Sequence, residues 1–146
     1  MVEDASLDRL NQCLETVHFA FRGLVAEPDS ILKSQGLSRI HHRLLFFIGR
    51  NAGLSVNQLV ETMRLTKQAI HKPLKSLVEK ELVSVDRDPA DKRVKRLTLT
   101  EQGAALEKRL SGIQRELLTH AFDEVGEEGA DAWFRVMETM ARRLGV

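Results

Sequence analysis

One stretch of the sequence, from Ser55 to Gly103, restricts the possible folds more than any other part of the chain. It predicts a short capped helix, a turn over residues 63–65 and a second helix over residues 66–80. Two short strands follow, and the charged segment 86–95 between them predicts a tight hairpin. The predicted order is therefore helix, turn, helix and a two-stranded ribbon.

Local capping signals place the two helices of this stretch. Ser55 followed three residues later by Gln58 fits a capping box, in which each side chain satisfies a free amide of the first turn. Thr66 is suited to the N-cap of the second helix. The apolar face of that helix consists of Ile70, Leu74 and Leu77, which recur at helical spacing. The second helix is therefore predicted to pack on one side only.

The opposite face of the second helix is polar and basic. On the helix surface, Gln68 is flanked by Lys72 and Lys75, and His71 lies at the margin of this face. An amide can read a base edge in a major groove, and the lysines can meet phosphates or guanine. The alternative is that this face is merely solvated.

The hairpin favours the nucleic-acid interpretation. Its first half has the turn residues Asp88 and Pro89, and its second half is crowded with basic side chains. A narrow, A·T-rich minor groove attracts arginine, so a basic tip on a stiff ribbon suits a minor-groove contact. Asp91, two residues before Arg93, is placed to hold that guanidinium by a charge-assisted bond.

The candidate DNA-contacting residues lie at the start of the first helix, on the polar face of the second and in the hairpin. The set consists of Ser55, Thr66, Lys67, Gln68, His71, Lys72, Lys75, Asp91, Lys92, Arg93 and Lys95.

The hairpin and its return strand resemble those of the MarR-type (multiple antibiotic resistance regulator) winged-helix family. The resemblance rests on the segment Asp88–Arg93, which reads DPADKR, followed by LTLTEQG over residues 97–103. It implies a winged helix-turn-helix in which Arg93 enters a minor groove and Asp91 anchors it, and terminal helices that interleave into a two-fold dimer. Two departures stand out. Glu81 occupies a position where the family often has glycine, and Pro73 within the second helix is expected to kink or loosen it.

Charge is distributed unevenly along the chain. Residues 64–96 carry ten lysines or arginines and five acidic residues, whereas the rest carries twelve basic and sixteen acidic residues. A basic centre between acidic flanks favours a protein that places one face on DNA. The longest apolar run, residues 44–48, is too short for a membrane span, and acidic residues near the start argue against a signal peptide. With a single cysteine, no internal disulfide is expected, so we expect a cytoplasmic protein without membrane association.

The flanking segments predict long helices. Residues 6–25 and the segment following Thr100 carry apolar stripes at alternating spacings of three and four, which indicate helix–helix seams. Residues 26–36 read as a linker that can include a helical turn, and Ser38 as the cap of a helix ending near Arg50. Gly126 is expected to break the helix after the wing, with a last helix from about residue 128. The predicted fold is mainly α (α+β), with a dimerisation helix and linker over residues 1–36, a winged helix-turn-helix over 37–100 and dimerisation helices over 101–146.

Two sensors are compatible with the sequence. If the first two helices pack as in the resembled family, His18, Arg22, His42 and Phe46 border one crevice suited to a small aromatic acid. Alternatively, Cys13 serves as a redox-active thiol. The histidines form no metal-ligand pattern, no catalytic motif is recognisable, and no cofactor is expected.

The sequence as a whole predicts a sequence-specific DNA-binding transcription regulator rather than an enzyme. We expect a homodimeric repressor of a pseudo-palindromic operator, released by a small aromatic or phenolic ligand. The alternatives are a thiol-based redox-sensing repressor acting through Cys13 and an effector-free architectural DNA binder.

Overall fold

The chain forms five α-helices and one two-stranded antiparallel sheet, here seen in a computed structural model that describes the backbone of residues 2–146 and the side chains of residues 4–146. In chain order the elements are α1 (Val2–Ser34), α2 (Arg39–Arg50), α3 (Val56–Met63), α4 (Lys67–Glu79), β1 (Val83–Arg87), β2 (Lys95–Leu99) and α5 (Glu101–Ala141), followed by a 3-10 turn (Arg142–Leu144). The predicted mainly helical class with a two-stranded wing is confirmed.

The two strands pair in a regular antiparallel register from Val83 opposite Leu99 to Arg87 opposite Lys95. The return strand β2 also pairs with the segment before α3. The Leu97 amide donates to the Leu54 carbonyl at 2.9 Å, and the Gly53 amide donates to the Leu97 carbonyl at 2.8 Å. These bonds attach the base of the wing to the start of α3.

The core draws on every α-helix and on both strands. Its completely buried side chains are Leu32, Leu44, Leu45, Ile48, Leu59, Ile70, Leu77, Leu97 and Leu110. Leu32 belongs to the end of α1 and Leu110 to the third turn of α5. The core of the helix-turn-helix module thus extends into the terminal helices on both sides.

The linker predicted over residues 26–36 is wrong, because α1 continues as a helix to Ser34 with Pro28 inside it. Proline has no amide hydrogen, so it leaves the carbonyl of Leu24 without its helical donor. The side-chain amide of Gln114 on α5 donates to that carbonyl at 3.3 Å. Pro28 itself is completely buried, as is Leu32. Packing against α5 therefore stabilises a helical segment that its local sequence disfavours.

The helix α4 runs from Lys67 to Glu79 with Pro73 inside it. Beyond it, Glu81 adopts the left-handed conformation, with φ of 59°. The Leu82 amide donates to the Leu77 carbonyl at 2.9 Å, and the Glu81 amide donates to the Val78 carbonyl at 3.0 Å. These two bonds form a Schellman motif, which normally places glycine at the left-handed position.

The predicted break at Gly126 is confirmed, since its φ of 70° and ψ of −176° interrupt α5. Several large apolar side chains of α1 and of the second half of α5 are exposed. They include Leu7, Leu10, Leu14, Val17, Trp133, Phe134, Val136 and Met140. Although these helices are long, no helix within the described part of the chain is apolar enough over a sufficient length to cross a membrane.

Candidate nucleic-acid interface

The helix α4 presents a polar face to the outside. Its N-cap is Thr66, whose hydroxyl accepts a hydrogen bond from the Ala69 amide at 3.1 Å. Ile70, Leu74 and Leu77 are buried against the core, as their spacing predicted. The other predicted contact residues of this helix are exposed: Lys67, Gln68, His71, Lys72 and Lys75. One of them, Lys75, lies 3.9 Å from Glu79 in an exposed ion pair. The helix thus offers one amide and several cations for contact outside the chain.

The tip of the wing is held by two aspartates. Asp88 Oδ1 accepts from the amides of Ala90 at 2.8 Å and Asp91 at 3.2 Å, which closes the turn. The expected ion pair is present, since Asp91 Oδ1 accepts from Arg93 Nε at 3.1 Å. This bond holds the pKa of the Asp91 carboxyl below its usual range. The Arg93 side chain nevertheless remains 92% exposed, so it is oriented and still free to contact a partner.

A second arginine attaches the wing to the helix-turn-helix. Arg96 on β2 donates from Nε to Asp88 Oδ2 at 2.9 Å, and its Nη2 lies 2.7 Å from the same oxygen. Its Nη1 also donates to the Gly53 carbonyl and to Gln58 Oε1, both at 3.4 Å. The bond from Arg96 is the main reason that the Asp88 pKa lies below its usual range.

These contacts form a continuous polar path. The Ser55 amide donates to Gln58 Oε1 at 2.8 Å, which completes the predicted capping box of α3. From Gln58 the path continues through Arg96 to Asp88 at the turn of the wing. Arg96 is one of the basic side chains in the second half of the hairpin, but it is not in the predicted set of contact residues. Its contacts join the turn of the wing to the segment before α3 and to Gln58.

A cleft of about 350 Å³ lies between α3, α4 and the wing. Its lining residues are Ser55, Val56, Asn57, Lys67, His71, Arg93, Val94 and Lys95. The N-terminus of α3, where backbone amides carry partial positive charge, opens into a space bordered by two lysines and an arginine. Such a cleft is suited to a polyanion with regularly spaced charges.

The cleft brings together residues that sequence analysis predicted from separate segments. Five of the predicted contact residues line it: Ser55, Lys67, His71, Arg93 and Lys95. Asn57 also lines it and was missed, because a single asparagine in the first turn of a helix carries no distinctive signal. Lys92 is exposed at the wing tip, and its carbonyl accepts from Arg87 Nη1 at 3.2 Å.

The crevice between α1, α2 and α5 contains only two of the four predicted sensor residues. Its volume is about 190 Å³, and it is lined by Phe21, Leu24, Val25, Arg39, His42, Arg43, Phe46 and Gln114. His18 and Arg22 are not part of the lining, to which α1 contributes Phe21, Leu24 and Val25. The cations of the crevice are instead Arg39 and Arg43, which lie over the Phe21 ring at 5.2 and 6.0 Å.

The polar groups of the crevice are largely engaged within the chain. His42 Nε2 lies 3.0 Å from the Ser111 hydroxyl in a buried pair that joins α2 to α5. Burial lowers the pKa of His42 below its usual value. Arg39 forms an ion pair with Asp29 at 2.8 Å. Arg43 forms no ion pair among the residues that the structure describes, so it is the cation available to a ligand.

The other proposed sensor, Cys13, is an exposed free cysteine on α1. Within the described residues, no three histidine, cysteine or acidic side chains are grouped so that they could hold a metal ion.

An exposed polar helix, a braced basic wing and the cleft between them define a winged helix-turn-helix protein of the DNA-binding class. A family model described as the MarR family matches residues 35–94. The HTH-type transcriptional regulator PetP of Rhodobacter capsulatus is 37% identical over 133 residues, which cover 91% of this chain and 80% of PetP. The chain belongs to the MarR family of winged-helix transcription regulators.

Solved structures share the fold at lower sequence identity. FabT of Streptococcus pneumoniae, in a complex with DNA, matches with a TM-score of 0.79 and 18% identity, covering 95% of this chain and 97% of FabT. MarR of Staphylococcus aureus, in a complex with salicylate and kanamycin, matches with a TM-score of 0.74 and 21% identity, covering 96% and 95% of the two chains.

Proposed function

We propose that this regulator acts as a homodimeric repressor that binds a pseudo-palindromic operator and is released by a small aromatic acid. The observation that carries the DNA-binding mode is the cleft between α4 and the wing, where predicted contact residues from three elements meet around the N-terminus of α3. In this mode α4 reads a major groove, and Arg93 enters the adjacent minor groove.

The side chains of the proposed interface suit different kinds of DNA contact. Gln68 offers a donor and an acceptor for a base edge, whereas the lysines offer point charges for phosphates. The Arg93 guanidinium is bonded to Asp91 through Nε and Nη2 and is still exposed, so it loses little conformational freedom when it enters a groove. FabT in complex with DNA has the same fold, which supports this mode.

The homodimer is supported by apolar surface that the chain leaves uncovered. Leu7, Leu10 and Leu14 on α1 are 58%, 59% and 70% exposed. The α5 helix exposes Leu117 before the break at Gly126, and Phe134 and Val136 after it. Long helices with such stripes normally bury them against other helices. A two-fold partner covers both stripes and places two copies of α4 about one DNA turn apart, roughly 34 Å.

The effector is proposed to bind in the crevice between α1, α2 and α5. Phe46 and Phe21 offer apolar contacts to a ring, and the Arg43 guanidinium offers a charge-assisted bond to a carboxylate. The crevice lies where α2 of the DNA-binding module meets the terminal helices. A ligand there changes the spacing of the two reading helices. A salicylate complex of a MarR protein with this fold supports the ligand class.

DNA binding is tested by titrating variants against a duplex selected by the wild-type protein from a random-sequence library. Arg93→Ala is expected to weaken binding by about 1–3 kcal/mol. Lys75→Ala is expected to weaken binding to all sequences and to lower the salt slope by about one. Gln68→Ala is expected to relax preference at one base pair of each half-site. Lys108→Ala, an exposed lysine on α5, is the control.

Unchanged binding by Arg93→Ala would remove the wing from the interface. If Gln68→Ala and Lys75→Ala scaled all affinities equally, α4 would not be reading bases. A wild-type protein that selected no sequence at all would favour the architectural alternative.

The dimer is tested by sedimentation of the variant carrying both Leu10→Asp and Leu117→Asp. Leu117 is 46% exposed, so its replacement leaves the core of the monomer intact. Monomers are expected because each new carboxylate faces an apolar partner surface. Gln12→Asp, on the opposite side of α1, is expected to remain dimeric. A stable dimer of the double variant with native helicity refutes the proposed interface.

The effector proposal is tested by adding salicylate to the protein–DNA complex. Release is expected in wild type, in Cys13→Ser and in Arg22→Ala, but not in Arg43→Ala. Release of wild type alone by an organic peroxide would favour the redox alternative at Cys13. If neither treatment moves the binding curve, both sensors are refuted.

A further inference from the structure

The turn between α3 and α4 is tied to the far end of the chain through one side chain. Arg64 Nε donates to the Leu144 carbonyl at 3.2 Å, and its Nη2 donates to the Gly145 carbonyl at 3.1 Å. Its Nη1 also donates to the Glu61 carbonyl in the last turn of α3. One guanidinium therefore joins the helix-turn-helix to a segment eighty residues later.

The three acceptors share one chemical property. Each is a backbone carbonyl at the C-terminal end of a helix, where the helix dipole is negative. The Glu61 carbonyl also accepts from the Arg64 amide at 3.2 Å. Two such ends, those of α3 and of the 3-10 turn, converge on Arg64. The planar fork of arginine can donate to both at once, which the single ammonium of lysine does less well.

The backbone conformation of Arg64 is unusual for an arginine. Its φ of 52° and ψ of 37° lie in the left-handed region, where glycine or asparagine fits better than arginine. Local conformational preference therefore does not account for an arginine at this turn. Its side-chain contacts with the 3-10 turn do.

The tie connects two parts with different proposed tasks. On one side, Thr66, the N-cap of α4, follows Arg64 by two residues. On the other side, the 3-10 turn continues the second half of α5, which carries the exposed apolar surface. We propose that Arg64 is a positioning residue that fixes α4 relative to the second half of α5. In the proposed homodimer, on which this inference rests, Arg64 thereby helps to set the spacing of the two reading helices.

The tie itself is tested by hydrogen exchange of the backbone amides. Arg64→Asn removes the guanidinium and suits the left-handed turn, so loosening cannot come from the backbone preference. A chain ending at Ala141 removes both distant acceptors but keeps the contact between Arg64 and Glu61. Each variant is expected to speed exchange of the Leu65 and Ala69 amides by about tenfold, since two exposed hydrogen bonds are lost.

Amide exchange in the combined variant is expected to be no faster than in either single variant, because both changes remove the same interaction. Arg142→Ala is the matched control, since the Arg142 guanidinium donates to the Thr139 hydroxyl within its own helix. Exchange that is unchanged in both variants, or effects that add fully in the combined variant, overturns the tie.

The positioning role is tested on DNA. Wild type and Arg64→Asn are titrated against the duplex selected by wild type, against the same duplex with its half-sites moved apart by one base pair, and against a single half-site. The preference for the selected spacing is expected to fall by about threefold or more in Arg64→Asn, with single half-site affinity unchanged. An unchanged preference overturns the positioning role. If wild type selects no two-fold duplex, the proposed operator mode fails, and the exchange experiment still decides whether the tie exists.

Discussion

Replacing Glu81 by glycine is expected to stabilise the protein. Glu81 has a φ of 59°, and it follows α4 at the left-handed position of the Schellman motif. A side chain in this conformation costs about 1–2 kcal/mol relative to glycine. Glycine gains about 0.4–1 kcal/mol of additional freedom in the unfolded chain, which offsets part of the benefit. The net gain in the free energy of unfolding is therefore on the order of 1 kcal/mol.

Nothing else in the structure opposes this substitution. The Glu81 side chain is exposed and lies outside the cleft between α4 and the wing. Its carbonyl accepts from the Thr100 hydroxyl at 2.7 Å, and that bond does not depend on the side chain. DNA affinity is therefore expected to remain unchanged.

The measurement is calorimetric unfolding at one fixed protein concentration, because association makes Tm depend on concentration. For a chain of this size, the expected gain raises Tm by about 2–4 °C. Glu81→Ala separates backbone from side chain, since it removes the carboxylate and keeps Cβ, and it is expected to match wild type. The stability of Glu81→Asn is expected to lie between those of Glu81→Ala and Glu81→Gly. If Glu81→Gly is no more stable than Glu81→Ala, left-handed strain does not explain the effect.

Three further predictions concern packing, pH and the wing. Gly103→Ala is expected to lower the free energy of unfolding by about 1–3 kcal/mol, because its Cβ would lie 1.9 Å from the Leu82 carbonyl oxygen; thermal unfolding checks it. The pKa of His42 is lowered by burial, so the unfolded chain binds its proton first as pH falls below about 6.5, and stability is lost from there downward. His42→Gln is expected to flatten urea-unfolding stability against pH. Arg96→Ala is expected to weaken DNA binding by about three- to tenfold while preserving helicity, in a gel-shift titration.

The sequence determined the features that depend on neighbouring residues. Caps at Ser55 and Thr66, the apolar spacing of α4 and the turn at the wing tip rest on interactions within about one turn of backbone. Asp91 and Arg93 are two residues apart, so their ion pair needs only the hairpin to form. For the same reason, the break at Gly126 could be predicted from a single residue.

Only the tertiary structure decided how distant segments meet. Leu110 lies in the segment after Thr100, whose apolar stripe predicts a seam between helices, yet it is completely buried in the core that includes the helix-turn-helix. Pro28 and Leu32 look like parts of a linker until α5 supplies Gln114 for the carbonyl that proline leaves without a donor. A stripe of apolar residues predicts that one face of a helix is buried, but it does not identify the element that packs against this face. The angles between helices are set by packing over the whole core.

For the same reason, some parts of the candidate sites could be predicted from the sequence and others could not. The basic wing and the outer face of α4 are visible in the sequence because charge and period suffice to identify them. Arg96 bonds to the carbonyl of Gly53, forty-three residues earlier, and Arg43 replaces Arg22 as the available cation of the crevice. Both findings depend on which arginine the packed helices bring to the site. The spacing of residues along one helix or strand does not predict this.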